Sequence, residues 1–183
     1  LLGNLYLSLS DFKECLAATA KALERYTELS DTEGVALSTM GMALAYYHLS
    51  DYSNALVYFS RALGMFEEQG NAQDRARCYG NVGLIYDSLG DFPKALEYYG
   101  KAIVLQEELG MKSSVAIVTG NMAVVYTQLG DYPLALELYN KALMLRNETG
   151  NRIGVASATG NIGTVYGLLG EYRQALEFHH RAI

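Results

Sequence analysis

Asn81, Asn121 and Asn161 stand forty residues apart. Each side-chain amide offers two donor hydrogens and an acceptor oxygen, which matches the alternating groups of an extended peptide backbone. No comparable set of residues points to catalysis. The histidines are His48, His179 and His180. Adjacent helical residues point about 100° apart, so His179 and His180 are not a chelating pair; ligands on one face need i, i+4 spacing. No glycine-rich phosphate loop follows a strand, and no Ser or Cys nucleophile is matched to a positioned base. The chain reads as non-enzymatic, with no cofactor and no metal.

The elements that place those asparagines repeat with the same period. Tyr6, Tyr46, Tyr86, Tyr126 and Tyr166 each sit in a common frame, clearest in Gly80-Asn81-Val82-Gly83-Leu84-Ile85-Tyr86 followed by Leu89-Gly90-Asp91-Phe92. A fixed period of this length means one helical unit copied and stacked. The units fall near 1–39, 40–79, 80–119, 120–159 and 160–183, the last truncated. Each holds two helices. In the third unit the first runs from about Ala76, or from a turn earlier, to Leu89 and the second ends near Glu108. Gly90, Gly130 and Gly170 permit the left-handed residue that ends a helix, and Ser10 and Ser50 do so less easily. Asp11, Asp51, Asp91, Asp131 and Glu171 follow, where Asp caps the next helix, and Pro93 and Pro133 occupy its first turn. These breaks are expected in all five copies.

Packing slots recur too. Gly3, Ala43, Gly83, Ala123 and Gly163 are small, with the repeat tyrosine three residues on along the same face. On the second helix Ala55, Ala95, Ala135 and Ala175 form another small slot, filled by Cys15 in the first unit. Phe59, Tyr99 and Tyr139 follow one turn later, then Ala22, Ala62, Ala102, Ala142 and Ala182. Large residues meeting small ones interlock helices. Cys15 and Cys78 therefore read as packing residues, not as a disulfide or metal pair, and His179 falls in the slot of Tyr99 and Tyr139. An interior tyrosine such as Tyr86 is expected to be buried, with Tyr86→Ala costing roughly 3–5 kcal/mol.

Net charge is -6 and the pI about 5.0. Binding a phosphate backbone needs clustered Lys and Arg, so nucleic acid is excluded as a partner. No apolar run reaches the roughly 18 residues that span a bilayer, and no signal peptide opens the chain. A cytoplasmic setting without membrane attachment is expected. Neither end carries the polar cap that a stack of units needs, so the chain reads as a fragment of a longer protein.

Small-x-x-Tyr, then Leu-Gly-Asp-aromatic, Ala-Leu, aromatic and Lys-Ala-Leu resembles the tetratricopeptide repeat (TPR) over the whole chain. The period of forty and the missing proline after the second helix, where Glu107-Glu108 stand, depart from the commonest form. Long repeats of this kind are similar to those of the spindle-orientation adaptor Pins/LGN and to arrays attached to bacterial signalling proteins. The resemblance implies an all-α, right-handed solenoid of about five antiparallel helix pairs. It also implies a concave groove lined by one strip of each first helix. That strip reads Leu37, Gly41, Leu44, His48; Arg77, Asn81, Leu84, Ser88; Ile117, Asn121, Val124, Gln128; and Ser157, Asn161, Thr164, Leu168. Asn4 and Ser8 stand there in the first unit, and Tyr47 lies at the groove edge.

The asparagines then grip peptide main chain, or else hydrogen-bond within the array. Leu44, Leu84 and Val124 anchor apolar ligand side chains, or else are covered by neighbouring first helices. Arg77 is the clearest fixed cation. Met40, Gly80, Gly120 and Gly160 stand where chaperone adaptors clamp a carboxylate, so that mode is disfavoured. Lys21, Arg61, Lys101, Lys141 and Arg181 form a solvated basic row. The expected function is a scaffold that binds a peptide segment of a protein partner. The alternatives are a regulatory segment of a larger signalling protein, or an architectural array whose ends stack on further copies.

Overall fold

A helix ends where its backbone can turn left-handed, and these ends follow the repeat. The computed structural model describes the backbone of residues 2–183 and the side chains of residues 11–183. All regular structure among the described residues is helical: α1 (Leu2–Glu28), α2 (Thr32–His48), α3 (Tyr52–Glu68), α4 (Ala72–Ser88), α5 (Phe92–Glu108), α6 (Lys112–Leu129), α7 (Tyr132–Glu148), α8 (Arg152–Leu168) and α9 (Tyr172–Arg181). The chain divides into two compact units, Leu1–Ile85 and Tyr86–Ile183.

At Gly90 φ is 74°, and its N–H donates to Asp87 O at 2.9 Å while that of Asp91 donates to Tyr86 O at 2.9 Å. This 5→2 and 6→1 pattern closes the helix. Ser30 and Ser50 take the same turn at φ 55° and 59°, at a cost of about 1–2 kcal/mol that glycine avoids. The carboxylates of Asp51, Asp91 and Asp131 then accept from the backbone N–H three residues on, at 3.2, 3.3 and 3.2 Å. Glu171 makes no such bond.

One feature sharpens the sequence expectation and a second departs from it. The first helix of the third unit begins at Ala72, a turn before Ala76, because Asn71 accepts from Asp74 N at 3.0 Å and caps it there. Asp31 and Asn151 cap α2 and α8 in the same way. More substantially, α1 runs unbroken through Ser10-Asp11. A non-glycine left-handed turn needs packing to offset it, and Ser10 carries the penalty without glycine's freedom. Cys15 accordingly lies exposed, not packed like the alanines of its slot. Gly3, Asn4, Tyr6 and Ser8 lie outside the residues whose side chains are described.

In the first unit, α1 packs on α2 through glycines: a Cβ on Gly34 would overlap the Tyr26 ring, and one on Gly41 would stand 3.0 Å from Thr19 Cγ2. Ala36, Ala43, Ala55, Phe59, Ala62, Phe66, Ala76 and Ile85 are fully buried. In the second unit, Ala123, Ala135, Tyr139, Ile162 and Val165 form one cluster. There a Cβ on Gly163 would sit 3.1 Å from Ala175 O, so α8 and α9 approach backbone to backbone.

The repeat tyrosines are not at the centre of these cores. Tyr46, Tyr86, Tyr126 and Tyr166 are half-buried. Tyr46 stacks on Tyr58 at 5.3 Å, Tyr86 on Tyr98 at 5.5 Å, and Tyr166 on Phe178 at 5.3 Å. The fully enclosed aromatics are Phe59, Phe66 and Tyr99. Offset stacking adds only about 0.5–1.5 kcal/mol beyond burial.

Three outcomes follow from this packing. Phe59→Ala should lower stability by about 3–5 kcal/mol in urea titration, with Tyr86→Ala costing less; equal losses would place both rings in the core. Asp131→Ala should cost about 1 kcal/mol and Glu171→Ala close to none, by thermal melting, since only the first removes a cap bond. Burial, with a smaller push from Asp74, raises the Cys78 thiol from 9.0 to about 12. The unfolded thiol therefore ionises first, and this group's contribution to stability is intact below about pH 9 and declines as pH rises toward 12. At pH 8 iodoacetamide should label Cys15 and spare Cys78 in the native chain; equal labelling would show Cys78 to be open.

Candidate functional site

The inward face of each first helix is built mostly from small and β-branched residues, joined by Met40 and Met42 on α2, and the opposite face is the more open one. In the first unit, α2 presents Leu37 (39% exposed), half-buried Gly41 and Leu44, and exposed His48; α4 continues with exposed Arg77 and half-buried Asn81 and Leu84. In the second unit, α6 presents Ile117 (51% exposed), half-buried Asn121 and Val124, and exposed Gln128. On α8 the same positions are exposed Ser157, half-buried Asn161, exposed Thr164 and Leu168, which is 53% exposed. Ser88 is exposed at the end of α4.

The three asparagines differ. Asn81 Nδ2 donates to Arg77 O at 3.0 Å, one turn back on its own helix. Among the described residues, neither Asn121 nor Asn161 has a side-chain hydrogen bond, and both keep part of their surface open. Val124 rests against the second unit's core cluster, so its outer edge alone is available.

Two further strip residues are held by neighbours. The His48 ring stacks on Phe12 of α1, with centroids 4.5 Å apart and planes 7° apart. Tyr47 meets His48 edge-on at 5.3 Å and lies 6.0 Å from Tyr52. These four rings make an aromatic corner in the first unit. At the slot of Tyr47 in the next repeat stands Asp87, whose carboxyl burial raises above its ordinary range.

Arg77 is not a bare cation. Its Nη1 donates to Asp74 Oδ1 at 2.7 Å, and Asn71 Nδ2 donates to Asp74 Oδ2 at 3.0 Å. Asp74 is itself 9% exposed. The i, i+3 spacing of Asn71, Asp74 and Arg77 was the available sequence signal for this network.

Another arginine escaped the sequence reading. Arg146 on α7 takes a slot held by Phe66 and Gln106 in other repeats. Its Nη1 donates to Gly154 O at 2.8 Å, and Nη2 lies 3.1 Å from where a Cβ on Gly120 would sit. Burial lowers the pKa of this guanidinium. Gly120 thus marks the passage of Arg146 between helices.

The basic row Lys21, Arg61, Lys101, Lys141 and Arg181 is exposed throughout. Lys101 pairs with Glu97 at 2.6 Å and Lys141 with Glu107 at 3.3 Å. Arg61, Lys101 and Arg181 lie over the rings of Tyr58, Tyr98 and Phe178. These contacts are at the surface, where each contributes a fraction of a kcal/mol to about 1 kcal/mol. Among the described residues no group of His, Cys, Asp and Glu could hold a metal ion, and no helix is long and apolar enough to cross a membrane.

The fold is similar to that of BtubC from P. vanneervenii, with a TM-score of 0.83 at 25% identity over 99% of this chain and 75% of that one. A Rap protein complexed with Competence and Sporulation Factor aligns with a TM-score of 0.82 at 21% identity, over 99% of this chain and 51% of that one. The Rap conjugation gene regulator of the plasmid pLS20, in complex with the Phr* peptide, aligns at 0.77 and 16% identity, over 99% and 50%. This chain thus spans about half the length of either Rap protein. No curated protein matches its sequence. The tetratricopeptide repeat model matches residues 1–68, 34–108 and 114–183. With helices in consecutive pairs and matches along nearly its whole length, the chain belongs to the tetratricopeptide repeat family.

Proposed function

We propose that the chain is a protein-interaction scaffold that binds peptide segments of a partner along the exposed strips of its first helices. The observation that carries this reading is the pair Asn121 and Asn161. They occupy the same position on α6 and α8, partly open, with no side-chain hydrogen bond among the described residues. A half-buried amide with unused donors and acceptor suits peptide main chain, and the exposed Ile117 and Leu168 supply apolar contact beside it. A pLS20 Rap regulator of similar fold holds the Phr* peptide, which supports a peptide as the class of ligand. The same likeness favours a second reading, in which the array switches a larger regulatory protein when its ligand docks.

Dodecapeptides selected on the chain from a random display library provide the test. Asn121→Ala with Asn161→Ala should weaken the selected peptides about tenfold, the loss of one or two hydrogen bonds, and leave the melting temperature nearly unchanged. Asn81→Ala should weaken them less, since its amide is engaged on its own helix. Unchanged affinity together with a fall in melting temperature would make the asparagines structural.

A further inference from the structure

We propose that the segment held by the strips of α2 and α4 is uncharged and apolar, and that Asp74 sets this preference by neutralising the one arginine on them. The inference rests on the peptide-binding reading above and names the chemistry of its ligand. Of the sixteen strip residues from Leu37 to Leu168, Arg77 alone carries a fixed charge. Its guanidinium is held at 2.7 Å by Asp74 Oδ1, and the second carboxylate oxygen is bound by Asn71 at 3.0 Å. Asp74 is nearly enclosed while the Arg77 side chain is half exposed. A charge pair so placed is screened less by salt than one in open water, and the cation has its counter-ion before any ligand arrives.

Two acids stand beside the strips of α2 and α4. Glu33 is exposed one turn before Leu37, and Asp87 is half-buried at the slot of Tyr47. An acidic segment would meet these carboxylates and a cation already paired. A basic segment would gain at most a screened surface contact, worth about 1 kcal/mol or less. In exchange it would press its charge against Leu37, Leu44 and Leu84, where a charged group loses hydration without a partner. Apolar side chains between main-chain amides lose neither.

Asp74→Asn tests this directly. It preserves the shape of the side chain and leaves Arg77 without its carboxylate. Random dodecapeptide selection on the native chain should yield sequences depleted in Asp, Glu, Lys and Arg. Their affinity should change less than about threefold between 50 and 500 mM NaCl, a range over which exposed charge pairs are largely screened. On Asp74→Asn, binders should carry Asp or Glu and weaken about tenfold over that range. Arg77→Gln in the same chain should restore the neutral preference; Arg77→Gln alone, which leaves the Asp74 carboxylate uncompensated, should draw Lys or Arg into the binders, a readout that stands even if Asp74→Asn fails to fold. Leu37→Asp reports whether selected peptides occupy the strips of α2 and α4, and Asn121→Ala whether they occupy that of α6. Charged, salt-sensitive binders of the native chain that these variants displace would overturn the inference and leave the peptide-binding reading standing. So would neutral binders on Arg77→Gln alone. Binders indifferent to both strip variants, or no binders at all, would overturn the peptide-binding reading and this inference with it.

Discussion

Close approach of two helices at a small residue is the contact on which the rest of this structure depends. Where Gly163 faces the Ala175 carbonyl at the distance a Cβ would fill, and where Ala43 and Ala123 are wholly enclosed, a larger side chain would push the pair apart. The neighbouring aromatics then fill what the small residues leave: Phe59, Tyr99 and Tyr139 inside, and the stacks of Tyr46, Tyr86 and Tyr166 nearer the rim. Dense interiors tolerate little change in volume, so these slots constrain the helix pairs from α2 to α9 in the same way.

That constraint also produces the surface on which binding is proposed. A first helix that spends its small and β-branched residues on packing has one remaining face, and its amides and aliphatics stand there at regular intervals. The left-handed turns and aspartate caps that open α3, α5 and α7 keep the register, and Asn121 on α6 and Asn161 on α8 take equivalent exposures. Charge is handled locally. Arg77 is balanced by Asp74, Lys101 by Glu97, Lys112 by Glu148 at 2.8 Å, and the polar strip is left without a field of its own.

Much of this was legible in the residues because it is periodic. Gly90-Asp91 announces its turn and cap, and the alanine slots announce the buried seam. What is not periodic stayed hidden. Ser10-Asp11 has the letters of a helix break, but serine permits the turn without enforcing it, and α1 continues. The tyrosines recur as faithfully as the alanines, yet recurrence does not distinguish the centre of a core from its rim. Asn81 reads the same as Asn121, although its amide bonds to its own helix. Arg146, Gly120 and Gly154 act together across three helices at spacings no local pattern displays. The inward caps Asp31, Asn71 and Asn151 were readable from their place after a helix end, and they account for the earlier start of α4.

A crystal structure of the chain with one selected dodecapeptide bound tests the central claim most directly. The account places the peptide main chain against the first helices, with Asn121 and Asn161 side chains donating to and accepting from it. Density for the peptide on the second helices, with both asparagines turned away from it, would contradict the account.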